Sequence, residues 1–355
     1  MKAATVIAAR RLSVRHLTMA LLLALACLVL APQPAVAEEG SPYRLEIPGQ
    51  LIDVGGYRLH IYCRGEGQPV VIMDAGLGDS SYEWLDIQSS LAEHVKACIY
   101  DRAGYGWSEP APQPRTSGHI AEELLILLTS VDLPAPYVLV GHSFGGYNMQ
   151  VFARRNPELT AGLVLVDSSH PDQVERYLAP PIRVKLAPEV NKGRHTRVHL
   201  ARPKMHPKLP ARLKGIVMAM LSHGVARRAI AEEYVNFRQS ARDVKSAPPM
   251  PDIPLFVISR SQRVWPEGEK GNRMEALWLE LQTELALQSP RHAHIIAGES
   301  GHHIHLDQPQ LVLAAIRNVI DAARLTRDPP PTYYAGEVPK RLVFKRARLA
   351  SYTLN

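Results

Sequence analysis

Cysteine is scarce: three residues in a chain of 355. A domain of this length builds its core without a disulfide or metal staple, so a scaffold held together mainly by cysteines is excluded. A strong excess of one charge is also missing. Lys2, Arg10, Arg11 and Arg15 lie in the first 37 residues, which hold no acid, and removing those four charges takes the formal net charge from +7 to +3. So small an excess does not call for a nucleic acid as partner. Long apolar runs are absent except at Leu17 to Ala31, which falls short of the ~20 residues of a membrane-spanning helix. No internal repeat is present. The 46% hydrophobic and 21% charged content fits a folded globular chain and excludes a disordered one.

The one apolar run has the layout of a signal peptide over residues 1–37. The four basic residues precede or flank it, and Ala35-Val36-Ala37 offers small residues for cleavage before Glu38. The mature protein is therefore expected to be exported, either periplasmic or secreted, with an uncleaved membrane anchor as the alternative. Arg10-Arg11 lacks the hydrophobic residue two places on that a twin-arginine signal carries (Ser13 stands there), which favours the general route. Cys27 lies inside the run and leaves with it. Cys63 and Cys98 remain, and the residues alone leave open a bridge or two buried thiols.

Downstream, short β-branched runs alternate with helical patterns, the signature of a mostly parallel sheet covered on both faces. Leu51 to Val54 and Tyr57 to Cys63 read as a hairpin turned at Gly55-Gly56. Val70 to Asp74, Ala97 to Tyr100, Tyr137 to Val140, Leu163 to Val166, Leu255 to Ser259 and His294 to Ile296 read as buried strands. Ser80 to His94, Thr116 to Val131, the segment ending at Asn156-Pro157, and Asp307 to Leu325 read as helices. Core segments 38–171 and 251–325 are thus separated by 172–250, too long for an ordinary crossover, which reads as a helical lid. Within it, residues 183–214 hold ten Lys or Arg and one acid, Glu189. That stretch suits either an anionic substrate, a contact with a membrane surface, or a solvated helical face. Residues 326–355 form a basic C-terminal extension after Pro329-Pro330-Pro331.

The chemistry concentrates at Gly141-His142-Ser143-Phe144-Gly145, a G-x-S-x-G between a strand and a helix. A turn this sharp forces the serine into strained angles, leaves room only for small residues around it, and lifts the hydroxyl clear of the sheet. The helix that follows aims its N-terminal N–H groups at the same point, where they favour negative charge.

With that motif in place the chain resembles the α/β-hydrolase superfamily, from about Leu51 to Leu325. Asp74-Ala75-Gly76-Leu77-Gly78 is similar to the family's oxyanion loop. The stretch Tyr100 to Ser108 is similar to its segment after the fourth strand, and Ser300-Gly301-His302 to its catalytic-histidine loop. The resemblance implies an α/β fold with an eight-stranded, mostly parallel sheet. It implies Ser143 as nucleophile, His302 as general base and then acid, and the N–H groups of Leu77 and Phe144 as oxyanion donors. It also sets the second strand beside the fourth, which makes a Cys63–Cys98 bridge an expectation.

The third triad member is the least marked. No aspartate follows Leu255 to Ser259, where the family commonly has it; the segment runs from Arg260 to Glu267. Asp167, one strand earlier, is the candidate acid and Glu267 the alternative. Asp101 is read as organising its own loop, against Arg102 or a backbone N–H. His302, His303 and His305 together raise the question of zinc, but no H-E-x-x-H pattern is near and Asp307 suits a helix N-cap. No metal and no cofactor are therefore expected, and His305 is read as packing or hydrogen-bonding behind the site. The function expected is hydrolysis of a small-molecule carboxylic ester or related acyl bond through an acyl-enzyme. The alternative is a non-catalytic ligand-binding protein on the same scaffold.

Overall fold

A computed structural model describes residues 47–179 and 203–325. The signal segment, the C-terminal extension and most of the basic stretch lie outside the described residues. Eight strands form one sheet in the order β1-β2-β4-β3-β5-β6-β7-β8: β1 (Gln50–Asp53), β2 (Arg58–Arg64), β3 (Val70–Asp74), β4 (Ala97–Tyr100), β5 (Tyr137–His142), β6 (Thr160–Val166), β7 (Leu255–Arg260) and β8 (His292–Ala297). β2 runs antiparallel to β1 and β4, and the remaining pairs are parallel. Every residue of β3, β4 and β5 is buried, as expected of strands covered on both faces.

The period-2 alternation divides the core. Val70, Ile72, Leu139 and Leu165 face one layer and Val71, Met73, Val140 and Val164 the other. Helices α1 (Leu85–Leu91), α2 (Ser117–Ser130), α3 (Phe144–Arg155) and α4 (Gln173–Leu178) accompany the first six strands. The insertion adds α5 (Ala211–Ser222), α6 (Gly224–Val235) and α7 (Phe237–Ser246), and the last third adds α8 (Glu269–Ala286), α9 (Ile304–Asp307) and α10 (Pro309–Leu325). The sequence reading passed over α8, whose Met274, Leu277, Trp278, Leu281 and Leu285 recur at helical spacing and are buried.

Two further differences have physical causes. The insertion read as a single lid over 172–250 packs against more than one part of the core. Ala241 and Val244 of α7 join the core layer of α2 and α3, and Ser240 Oγ and Asp243 Oδ2 accept the free N–H groups of Ser117 (3.0 Å) and Gly118 (2.8 Å) at the start of α2. α6 lies towards the loops that follow β3 and β4, where Ile230 approaches Gly78 and Ala229 approaches Gly104. Asp307 takes the backbone N–H of Gly301 at 3.0 Å, so it ties the histidine loop rather than serving as the expected helix cap.

Cys63 and Cys98 face each other in the antiparallel register of β2 and β4 and form a disulfide. No helix among the described residues is long and apolar enough to cross a membrane.

Candidate active site

Four adjacent parallel strands deliver the site from their carboxyl ends, where open α/β sheets bind ligands. Ser143 follows β5, Asp167 follows β6, Arg260 ends β7, and His302 lies on the loop after β8. Ser143 has φ 51° and ψ −116°, a conformation an L-residue holds only under constraint. The constraint is visible at the flanking glycines. A Cβ on Gly145 would lie 2.6 Å from the Ala75 carbonyl oxygen, and one on Gly141 2.7 Å from the Gly145 carbonyl oxygen.

The Ser143 hydroxyl lies 3.0 Å from His302 Nε2, and His302 Nδ1 lies 2.6 Å from Asp167 Oδ2. The partners set the tautomer: Nδ1–H donates to the carboxylate and leaves Nε2 free to accept from the serine. Asp167, which like Ser143 has positive φ (41°), is fully buried. It also accepts Trp278 Nε1–H (2.8 Å), the Arg260 backbone N–H (3.1 Å) and Arg260 Nη1–H (3.3 Å). Burial pushes this carboxyl up, but the hydrogen bond and charge of His302, then Arg260 and Trp278, hold it below the usual carboxylate range. Glu267 is exposed beyond β7, and Asp167 makes the imidazole contact.

The N–H groups of Leu77 and Phe144 make no hydrogen bond to a described residue and stand at the oxyanion loop and the first turn of α3. The loop is fixed by Arg102, which is buried. Its Nη1 donates to Asp74 Oδ1 (2.6 Å) and the Ala75 carbonyl, its Nη2 to the Gly76 carbonyl, and its Nε to Glu233 Oε1 of α6 (2.7 Å). Asp101 does not pair with Arg102 as one reading had it; it accepts from His60 Nδ1, Ser81 Oγ and the Trp107 N–H.

The other histidines form a second layer. His142, inside the elbow, donates Nε2–H to the His302 carbonyl at 3.0 Å, and burial pushes its imidazole down to about 4. His303 Nε2 lies 3.4 Å from Asp79 Oδ1. Burial disfavours charge on His303, but the Asp79 carboxylate overrides it and holds the imidazole up to about 9. His305 stacks on Trp84 with centroids 4.5 Å apart and faces Glu83 at 3.3 Å, behind the site as expected.

The sequence reading missed Arg260, Trp278, Asp79 and Glu83. Arg260 opened the segment searched for an acid, Trp278 lies in the overlooked α8, and the last two follow the oxyanion loop. None carries a motif, so only the fold relates them to the site.

Residues 71–315 match the model of the alpha/beta hydrolase family. An uncharacterized protein of Bacillus subtilis, YqjL, is 27% identical over 272 residues, which cover 76% of this chain and 91% of that protein. An uncharacterized vacuolar membrane protein of Saccharomyces cerevisiae, YNL115C, is 29% identical over 147 residues, and this chain spans only 23% of its length. A solved thermophilic esterase from Thermogutta terrifontis superposes with TM-score 0.54 at 20% identity, covering 78% of this chain and 99% of that one.

Proposed function

The chain belongs to the alpha/beta hydrolase family, and on that premise we propose that it is a serine hydrolase that cleaves a small-molecule carboxylic ester or related acyl bond. The observation that carries this reading is the continuous line Ser143 Oγ–His302 Nε2 (3.0 Å) and His302 Nδ1–Asp167 Oδ2 (2.6 Å).

In this mechanism Ser143 Oγ attacks the carbonyl carbon while His302 Nε2 takes its proton. Asp167 keeps the ring in the productive tautomer and stabilises the imidazolium without itself taking the proton. The developing oxyanion receives the N–H groups of Leu77 and Phe144, fixed before charge develops. The protonated His302 then donates to the leaving alkoxide, giving the acyl-enzyme. Water, deprotonated by the same nitrogen, attacks the acyl carbon and releases the acid and Ser143. An aspartate at the elbow would form an alkyl ester with an epoxide; serine in that position supports acyl transfer instead.

Steady-state assays on p-nitrophenyl esters of graded acyl length test the proposal. Wild type is expected to turn over at least one, and Ser143→Ala to lose several orders of magnitude in kcat. Equal rates in both, or none in wild type across the series, contradict it and favour a binding protein on this scaffold.

We further propose that residues 1–37 direct export. N-terminal sequencing of secreted material should begin at Glu38; an intact Met1 in membrane fractions overturns this. Attraction of an anionic substrate by the stretch 183–214 remains part of the proposal. A fall in kcat/KM for an anionic ester as salt rises, with a neutral ester unaffected, supports it.

A further inference from the structure

Beside the Ser–His–Asp line lies a cluster that the hydrolytic chemistry does not use. Asp79 directly follows the oxyanion loop, Glu83 comes from the short helical turn Ser81–Trp84, and His303 from the histidine loop. One oxygen or nitrogen from each of the three lies within 4.8 Å of the others. The sequence reading set zinc aside because His302, His303 and His305 had no acids in helical register. The fold supplies two from more than 200 residues away.

Two observations point to a cation. The first is His142. Its Nε2 has a carbonyl as partner and so carries the ring hydrogen. Its Nδ1, fully buried, has no hydrogen-bond partner and stands 3.1 Å from Asp79 Oδ2. In the neutral ring that atom is a lone pair turned towards a carboxylate oxygen, an arrangement that needs positive charge between the two. The second is that, among the described residues, the basic partners of Asp79 and Glu83 are imidazoles, which can themselves ligate a metal. Among the described residues no Lys or Arg pairs with Asp79 or Glu83. The other such group among the described residues, His170, Asp172 and Glu284, is already neutralised by Lys245 on Asp172 (2.6 Å) and Arg176 on Glu284 (2.8 Å).

We propose that Asp79, Glu83 and His303 bind a divalent transition-metal ion of the zinc type, with His142 Nδ1 as an adjacent donor. Mixed imidazole and carboxylate ligands suit such an ion. Metal–ligand bonds of about 2.0–2.2 Å separate neighbouring tetrahedral ligands by roughly 3.4 Å, the present His303–Asp79 distance; Glu83, whose oxygen lies within 4.8 Å of both, completes the set. Binding displaces the proton that Asp79 otherwise holds on His303. The ion joins the loop that carries Leu77 to the loop that carries His302. It thus staples the oxyanion hole to the general base without touching Ser143.

The test uses the full chain, freed of metal by chelator and dialysis, and titrated with Zn²⁺ calorimetrically. One equivalent is expected to bind and to raise Tm. Asp79→Asn and His303→Gln should each weaken binding at least tenfold, with His170→Gln binding like wild type. Co²⁺ in place of zinc should give visible d–d absorption that His303→Gln abolishes, a readout independent of activity. If Asp79→Asn fails to fold, His303→Gln and the cobalt spectrum decide. No saturable Zn²⁺ binding, or binding unchanged in His303→Gln, overturns the proposal and leaves a proton shared between His142 and Asp79.

Discussion

Arg260 Nη1 lies 3.3 Å from Asp167 Oδ2, the same oxygen that accepts His302 Nδ1 at 2.6 Å. One oxygen of Asp167 therefore serves both His302 and Arg260, and Trp278 and the Arg260 backbone N–H occupy the other. Arg260 itself stacks over the rings of Trp265 and Trp278, 4.8 Å from each centroid. The carboxylate is thereby aimed at the imidazole by three donors, Trp278 Nε1–H and the backbone and Nη1–H groups of Arg260.

Trp278→Phe removes one of those donors and keeps most of the ring packing. A hydrogen bond to a charged group is worth about 1.5 kcal/mol or more, so a fall of roughly tenfold in kcat is expected, with KM little changed. A fall in stability with unchanged kcat contradicts the positioning role.

Glu233 is fully buried on α6 and pairs with both Arg102 and Tyr105. Removing one partner of a buried pair strands the other charge, at a cost of about 3–5 kcal/mol. Glu233→Leu should unfold at clearly lower denaturant than wild type. It should also lose turnover, because Arg102 holds the Asp74–Gly76 segment ahead of Leu77. An unchanged midpoint shows that α6 is not clamped this way.

The Cys63–Cys98 bridge closes a separation of 35 residues, for which the chain-entropy account gives about 4 kcal/mol. The double Cys63→Ala, Cys98→Ala variant should unfold earlier by a few kcal/mol, and mass spectrometry of unreduced wild type should find the linked peptide. Two freely alkylated thiols rule the bridge out.

Burial pushes His170 down to about 4, against the pull of Asp172 and Glu284 and alongside Arg176 and Lys245. The unfolded imidazole, near 6.5, binds its proton more readily than the folded one. Stability contributed by this group is present above 6.5 and is lost as pH falls from there towards 4. Urea midpoints at pH 7 and 4.5 should differ less in His170→Gln than in wild type; equal differences mean that His170 is neutral for another reason.

Much of this was legible in the sequence. β3, β4 and β5 read as buried runs because every residue in them is buried, and the elbow stood out because Gly141 and Gly145 have no room for a Cβ. Asp167 became the candidate acid only through the resemblance to the family, since nothing in its local sequence distinguishes it from a turn residue. α8 was overlooked although Met274, Leu277, Trp278, Leu281 and Leu285 recur at helical spacing. Arg260, Trp278 and Asp79 acquire roles only from neighbours 93, 111 and 224 residues away, and no local periodicity encodes such pairings.

The central claim is that the Ser143 hydroxyl is a nucleophile activated by His302. Intact-mass and peptide mapping after treatment with a fluorophosphonate test it most directly. A single adduct on Ser143, absent in Ser143→Ala and slowed by orders of magnitude in His302→Ala, is the predicted result. An unmodified wild type, or an adduct whose rate ignores His302, contradicts it.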